Sequence, residues 1–197
     1  MSRDVRSILI VNGHPDPAGK GLCHALADAY AEGARSAGHA VERVDVAALD
    51  IGFLHSQAEF EKGSAPPAIA AAQRQIERCN HLVVIFPLWL GDVPAVLKAF
   101  FEQTLRPGFA FTYRPSGFPI MHLKGRSARI VVTMGMPAFV YRWYFGAHGL
   151  KNLKRNILGF VGFTPVRYTI VGSVGTTGPD KMRRHIDEVR ELGRAGV

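Results

Sequence analysis

Sulfur ligands, export signals and membrane-spanning segments are scarce or absent in this sequence. Only Cys23 and Cys79 are cysteines among its 197 residues, and they form no C-x-x-C pair. They provide neither a disulfide framework nor a sulfur-rich metal site, and they suit a reducing cytoplasm. The first residues lack a signal-peptide core, so export is not expected. The most membrane-like run, 82–101, contains Asp92, Lys98 and two prolines, which argues against a transmembrane helix.

Common catalytic and nucleotide-binding motifs are also missing. The sequence has no G-x-S-x-G, no H-E-x-x-H and no G-x-G-x-x-G, and no cluster at metal-ligand spacing, so no metal is expected. The loop from Gly13 to Gly21 superficially resembles a P-loop, but five residues separate Gly13 from Gly19 where a Walker A motif has four. Because these motifs are absent, we expect a bound cofactor to carry out the chemistry.

The net charge of +8 raises the question of an anionic partner. Basic surfaces attract nucleic acids, yet the cations are scattered and no nucleic-acid-binding module accompanies them. Most of this charge is therefore expected to be solvated surface. Attraction of an anionic cofactor such as NADPH is a second interpretation, and a nucleic-acid partner is not expected.

Short apolar runs alternate with amphipathic stretches along the whole chain. The runs predict five strands, at 7–11, 41–46, 81–86, 128–133 and 166–171. The amphipathic stretches predict helices at 22–37, 67–79, 92–105, 144–158 and 179–192. Asp92 is the predicted cap of the third helix and Gly108 its stop, and 52–64 is expected to be a loop.

Strand-helix alternation specifies an α/β fold with a mostly parallel sheet and helices on both faces. Five strands favour the flavodoxin-like, doubly wound order 2-1-3-4-5, in a single domain over 1–197. Ligands of such sheets bind beyond the carboxyl ends of the strands, where the strand order reverses. The loops 12–22 and 87–93, and the loop that follows Thr133, are therefore the expected ligand-binding loops.

The first two of these loops contain groups that suit a flat anionic cofactor. His14 lies just past the first strand, and the helix that begins at Leu22 directs backbone amides at any anion before it. A purely structural loop histidine is the alternative for His14. The segment 87–90 offers an apolar surface to a heterocycle, although Trp89 alone could be core packing.

The third loop adds a glycine and two polar side chains. Gly135 lets the backbone approach a ring system closely. Tyr141 and His148 could donate hydrogen bonds to the pyrimidine side of a reduced flavin, where negative charge accumulates. The aromatic residues between Phe139 and Phe145 could instead serve a subunit interface.

With these residues in view, the chain resembles the NAD(P)H:quinone oxidoreductase family of flavodoxin-like proteins. That family includes the modulator of drug activity proteins and the ancillary subunits of potassium-efflux systems. The resemblance covers nearly the whole chain. It is strongest over 86–111, which reads F-P-L-W-L-G-D-V-P-A-V-L-K-A-F-F-E-Q-T-L-R-P-G-F-A-F.

The resemblance implies roles for individual residues. The positions implied to bind the cofactor are His14, Gly21, Leu22, Cys23, Pro87, Leu88, Trp89, Leu90, Thr133, Met134, Gly135 and Met136. The positions implied to be catalytic are Tyr141, His148 and Gly135. Gly21 replaces a usual serine, Leu90 replaces a common aromatic, and the segment 133–136 departs from Thr-Thr-Gly-Gly. His148 lies about one residue beyond the family's histidine.

The resemblance also implies a cofactor and a reaction. FAD is the expected flavin, with FMN as the alternative, and NAD(P)H is the expected co-substrate. In the implied two-electron ping-pong reaction, NAD(P)H delivers hydride to flavin N5 and is replaced by a quinone-like acceptor in the same slot. A cytoplasmic homodimer is expected. The alternative is a regulatory flavin-binding subunit of a potassium-efflux or other membrane transporter.

Overall fold

The computed structural model describes residues 5–197. Its strands are β1 (Ser7–Asn12), β2 (Ala40–Asp45), β3 (His81–Pro87), β4 (Phe111–Thr112), β5 (Ile120–Met121), β6 (Ser127–Thr133) and β7 (Val166–Val171). Its helices are α1 (Leu22–Ser36), α2 (Gln57–Lys62), α3 (Pro67–Arg78), α4 (Ala95–Thr104), α5 (Ala138–Trp143), α6 (His148–Asn152) and α7 (Pro179–Ala195), with a π-helical segment over Leu153–Gly159.

Five of the strands form one parallel sheet in the order β2-β1-β3-β6-β7, and β4 and β5 form a separate antiparallel pair. Counted along the sheet-forming strands alone, this order is 2-1-3-4-5. The predicted fold class is therefore confirmed, including the placement of β2 at an edge of the sheet.

The apolar strands divide the interior into two cores because successive side chains point to opposite faces of a sheet. Ile8 and Ile10 of β1 pack on one face beside α1 and Val189 of α7. Leu9 and Val11 face the other side, with buried residues of α3 and α4. Burial on both faces explains why β1, β3 and β6 read as continuous apolar runs.

The sequence predicts a loop over 52–64, and this prediction is wrong for the second half of the segment. Helix α2 begins after Ser56, whose hydroxyl accepts a hydrogen bond from the Glu59 N–H at 3.1 Å. The Glu59 carboxylate in turn accepts one from the His55 N–H at 2.9 Å. Ser56-x-x-Glu59 is thus close to a capping box, a start signal that the sequence contains.

The predicted Asp92 cap is also wrong. Pro94 is the N-cap of α4, with an extended backbone (φ −55°, ψ 145°), and the helix begins at Ala95 and ends at Thr104. Asp92 instead accepts a hydrogen bond from the Val93 N–H at 2.8 Å. It closes a tight turn before the helix, so its carboxylate stays near the carboxyl end of the sheet.

The predicted helix over 144–158 is interrupted. Gly146 and Ala147 have φ values of 64° and 49°, which lie in the left-handed region and cannot continue a right-handed helix. Helix α5 therefore ends at Trp143, and α6 starts at His148. Within residues 5–197, no helix is both long enough and apolar enough to cross a membrane.

Candidate functional site

Three loops meet at the carboxyl end of the sheet, where β1, β3 and β6 lie side by side. The Gly13 N–H donates to the carbonyl of Ile85 at 2.7 Å, and the Leu88 N–H donates to the carbonyl of Thr133 at 2.8 Å. The Cys23 Sγ lies 3.4 Å from the Thr133 Oγ1. These contacts hold the first, second and third predicted ligand loops against one another.

His14 is partly buried at the start of this region, and its ring is oriented by its own loop. Its Nδ1 accepts a hydrogen bond from the Asp16 N–H at 3.1 Å, so the neutral ring carries its proton on Nε2. Burial lowers the pKa of His14, repulsion from His24 lowers it further, and Asp16 opposes both. His14 is therefore a neutral hydrogen-bond donor through Nε2 at pH 7.

The amino terminus of α1 faces the same space. Its N-cap is Gly21, which has no side chain to satisfy the first N–H groups, and its first turn contains no acidic residue. Unsatisfied N–H groups and the helix dipole together favour an anion at such a position. Leu22 and Cys23, the first two helical residues, contribute their backbone amides to it.

The Cys23 thiol is an unsuitable nucleophile in this setting. Cys23 is buried, and burial raises the pKa of its thiol to about 11 despite the contact with Thr133. The thiol therefore stays protonated near neutral pH, which makes it unreactive. Cys23 contributes to the site through its backbone.

The segment 89–92 forms a tight turn that raises two apolar side chains above the sheet. The N–H groups of Trp89 and Asp92 each donate to the other's carbonyl at 3.0 Å, and Leu90 and Gly91 have φ values of 48° and 83°. The Trp89 side chain is 52% exposed, and Leu90 is fully exposed. The Trp89 and His14 ring centroids are 6.5 Å apart.

A cleft of about 630 Å³ opens between this turn and the loop after β6. Its walls include Leu90, Asp92, Met136, Tyr141 and His148. Two of the predicted catalytic residues, Tyr141 and His148, thus line the same cleft. A cleft of this size is in the range of small-molecule sites.

Tyr141 and His148 differ in accessibility. The Tyr141 hydroxyl is buried and accepts a hydrogen bond from the Leu150 N–H at 3.2 Å, and burial raises its pKa. His148 is exposed at the start of α6. In this arrangement His148 offers an accessible polar group, whereas Tyr141 ties α5 to α6.

The third loop, which follows β6, exposes its backbone to the site at Gly135. Thr133 and Met134 are buried, and the Met134 N–H and carbonyl are both engaged, with Val171 and Val174. Gly135 is exposed, and a Cβ there would meet only the Val174 carbonyl oxygen, at 3.8 Å. Gly135 therefore leaves an open backbone face, while Met134 has no free polar group to offer.

Sequence reasoning missed three residues of the site. His24 lies beside His14, with 5.4 Å between ring centroids, and Asp92 and Asn152 line the cleft. The sequence could have predicted a place for His24 in the site, because His24 lies three residues after Gly21 and so falls in the first turn of α1. Asn152 could not be predicted in this way. It lies in α6, and the sequence pattern predicted a single helix over 144–158 instead of a helix that begins at His148.

The topology and the loop cluster define an α/β protein with a cofactor-sized site at the switch point of a doubly wound sheet. A family model described as "Flavodoxin-like fold" matches residues 6–192. The chain therefore belongs to this flavodoxin-like family.

Relatives of this chain have names that refer to quinone reduction. It is 32% identical over 136 residues to NAD(P)H dehydrogenase [quinone] 1 of Rattus norvegicus, covering 64% of this chain and 47% of that protein. It is 29% identical over 152 residues to the FMN-dependent NADH:quinone oxidoreductase of Nitratidesulfovibrio vulgaris (strain DP4), covering 72% and 69%. The chain thus spans about half the length of the rat relative.

A solved structure has the same fold over almost the entire chain. The NAD(P)H:quinone oxidoreductase from Methanothermobacter marburgensis superimposes with a TM-score of 0.79 and 23% identity, covering 96% of this chain and 98% of that one. The expected relation to the quinone oxidoreductases is confirmed at the level of family. The relatives' names refer to oxidoreductases and not to transporter subunits, and one refers to FMN, so the expectation of FAD as the primary flavin is not supported.

Proposed function

We propose that this protein is a flavin-dependent NAD(P)H:quinone oxidoreductase. One observation carries the proposal: an uncapped helix terminus with a neutral histidine donor adjoins an exposed indole and a cleft of about 630 Å³. These parts match the phosphate, the ring and the redox partner of a flavin. The names of the rat and Nitratidesulfovibrio relatives support the choice of acceptor.

The residues present fit a flavin. Backbone amides at the start of α1 and the His14 Nε2 would hold its phosphate. Pro87, Leu88, Trp89 and Leu90 would form the apolar wall along its ring, and the exposed backbone at Gly135 would let the ring lie close to the third loop. Met136 lines the adjoining cleft, where a second ring could stack.

We propose FMN as the flavin, because the relatives' names support it. NADPH or NADH is the proposed donor, and the positive net charge suits either. When bound, the flavin supplies two-electron hydride chemistry, accepting from the nicotinamide and giving to the quinone in turn.

The chain's own residues position the reactants and manage charge. His148, exposed in the cleft, is placed to donate a hydrogen bond to an oxygen that gains negative charge. Tyr141 acts through position, since its hydroxyl fixes the Leu150 amide in α6. The strained turn at Leu90 holds an apolar side chain at the wall of the cleft.

We also propose that two copies pair through the aromatic residues of α5 and the loop after it. Trp143 and Tyr144 are 86% and 82% exposed, and Phe139 and Phe145 are at least half exposed. Contiguous exposed apolar surface of this kind marks association sites. Sedimentation of the protein at the mass of one chain would contradict the pairing.

The single flavin-binding domain over 1–197 and the cytoplasmic location remain part of this proposal. The family match over 6–192 supports the first. The free, buried state of Cys23 and Cys79 agrees with the second, since reducing compartments keep thiols unpaired.

Steady-state oxidation of NADPH and NADH, measured with FMN-loaded protein in the presence and absence of a simple quinone, tests the proposal. We expect quinone to accelerate the oxidation strongly. His148→Leu, which removes the donor, should lower kcat by about 100-fold, the lower end for loss of one charge-stabilising donor. The matched exchange His185→Leu, on α7 beside Glu188, should leave kcat unchanged. Equal rates with and without quinone would contradict the function.

A further inference from the structure

His24 carries a buried nitrogen that the fold leaves without a partner. The residue is 7% exposed, and its Nδ1 has no hydrogen-bond partner within the described part of the chain. Buried polar atoms are nearly always hydrogen-bonded, and those that are not call for an explanation. The proposed mechanism does not use this imidazole.

The unpartnered nitrogen is directed at the start of α1. A Cβ placed on Gly21 would lie 3.8 Å from the His24 Nδ1 and 3.5 Å from the His14 Nε2. The two imidazoles therefore converge on the N-cap from different sides. One comes from the loop after β1, and the other comes from the first turn of the helix itself.

We propose that His24 is a second histidine ligand, beside His14, for the terminal phosphate of FMN. This inference rests on the proposed function and adds a residue to its cofactor site. Three kinds of donor converge at Gly21, the N-cap of α1. They are the free N–H groups of the first turn, the His14 Nε2 and the His24 Nδ1. A phosphate at this point would give the His24 Nδ1 the partner that it lacks.

The surroundings of His24 favour a single phosphate. A groove beside His24 has Asp16, Asp28, Arg43 and Asp45 in its lining. Arg43 is already paired with Asp28 and with Asp45. A second phosphate that extended into this groove would meet the carboxylates of Asp16, Asp28 and Asp45, while the guanidinium of Arg43 in its lining is already paired. The site therefore suits a flavin that ends in one phosphate.

Titrations of the purified chain with FMN and with riboflavin, which lacks the phosphate, test the role of His24. His24→Phe keeps the ring and removes both nitrogens, whereas His24→Asn keeps a polar atom near the position of Nδ1. His185→Asn is the control. We expect His24→Phe to weaken FMN binding by about tenfold and to leave riboflavin binding unchanged, as for loss of one hydrogen bond to a charged group. His24→Asn should recover part of the loss.

The same titrations separate the possible failures. If His24→Phe weakens FMN and riboflavin equally, or weakens neither, His24 is a structural residue and the proposal is overturned. If the unchanged chain binds riboflavin as tightly as FMN, there is no phosphate site, yet the proposed flavin function stands. If it binds no flavin, the proposed function itself fails. Circular dichroism measures the helical content of each variant and shows whether it folds. If His24→Phe does not fold, the comparison of FMN and riboflavin binding is made with His24→Asn.

Discussion

At the scale of single residues, the histidines of this chain show how position decides chemistry. His14 and His24 lie at an uncapped helix start and can donate to an anion, whereas His81 lies in the middle strand with its Nδ1 2.7 Å from the Ser127 hydroxyl. The sequence predicts the location of His14, because a residue just past a buried strand must reach the switch point. The orphaned nitrogen of His24 could not be predicted, since it depends on how α1 turns against the first loop.

His14→Ala should weaken FMN retention by about tenfold, because the variant loses a donor to a charged phosphate. Equilibrium dialysis of FMN measures this directly, and His122→Ala, in which the changed residue contacts Thr112 of β4, serves as the control. An FMN affinity that does not change would show that His14 is only a loop-shaping residue.

His81 should make the protein sensitive to acid. Burial, followed by repulsion from Arg6 and Arg129, lowers the pKa of His81 from 6.5 to about 3. Between these values the unfolded chain binds a proton that the folded chain does not. The free energy of unfolding should therefore fall as the pH drops from about 6.5 to about 3, by up to about 1.4 kcal/mol per pH unit from this group.

His81→Asn keeps a polar atom for Ser127 and removes the titrating ring. Urea unfolding at several pH values should show a shallower acid dependence for this variant than for the unchanged chain. His185→Asn should leave the slope as it was. An identical slope in His81→Asn would contradict the assignment of the acid sensitivity to His81.

At the scale of elements, sequence patterns locate the strands and long helices well and their terminations less well. The five sheet strands are predicted to within one residue at each end. In β1, β3 and β6 this is because burial on both faces leaves an uninterrupted apolar run. The break at Gly146 and Ala147 was missed because the apolar residues that follow it, Leu150, Leu153 and Ile157, keep a helical spacing. The β4–β5 pair was missed because two-residue strands leave no periodic pattern.

The pairing of α1 with α7 depends on two glycines. A Cβ on Gly33 would overlap the carbonyl of Arg190, and a Cβ on Gly193 would overlap the carbonyl of Tyr30. Gly33→Ala should therefore lower the free energy of unfolding by about 3 kcal/mol, the upper range for overpacking. Gly52→Ala, where a Cβ meets nothing within 4 Å, should change it by less than about 0.5 kcal/mol. Equal effects in urea unfolding would contradict the close approach.

The turn at 89–92 stores strain where a ligand is expected. Leu90 has a φ of 48°, a conformation for which asparagine and glycine are the favoured residues in such turns. Leu90→Asn should raise the free energy of unfolding by about 1 kcal/mol and weaken FMN binding, because it removes an apolar side chain from the ring wall. Leu90→Ala, which retains the strain, should show only the weaker binding. Unfolding with and without FMN distinguishes the two effects.

At the scale of the whole molecule, the strand order places every functional element at one end. The alternation of strands and helices was enough to predict this end, because the switch point follows from the order 2-1-3-4-5. The shape of the cleft was not predictable, because it depends on how the loop after β6 folds back toward the turn at Leu90. The amino-acid composition does not distinguish FMN from FAD. The proposal of FMN depends on the names of the relatives and on the charged residues around His24.

The central claim is that bound flavin passes a hydride from a nicotinamide to a quinone, and two half-reactions test it directly. FMN-loaded protein is mixed with NADPH or NADH without oxygen, and an oxidised quinone is then added. We expect the visible flavin absorbance to bleach with the nucleotide and to return with the quinone, each phase being faster than steady-state turnover. Flavin that stays oxidised in the presence of both nucleotides, or that the quinone does not reoxidise, would contradict the claim.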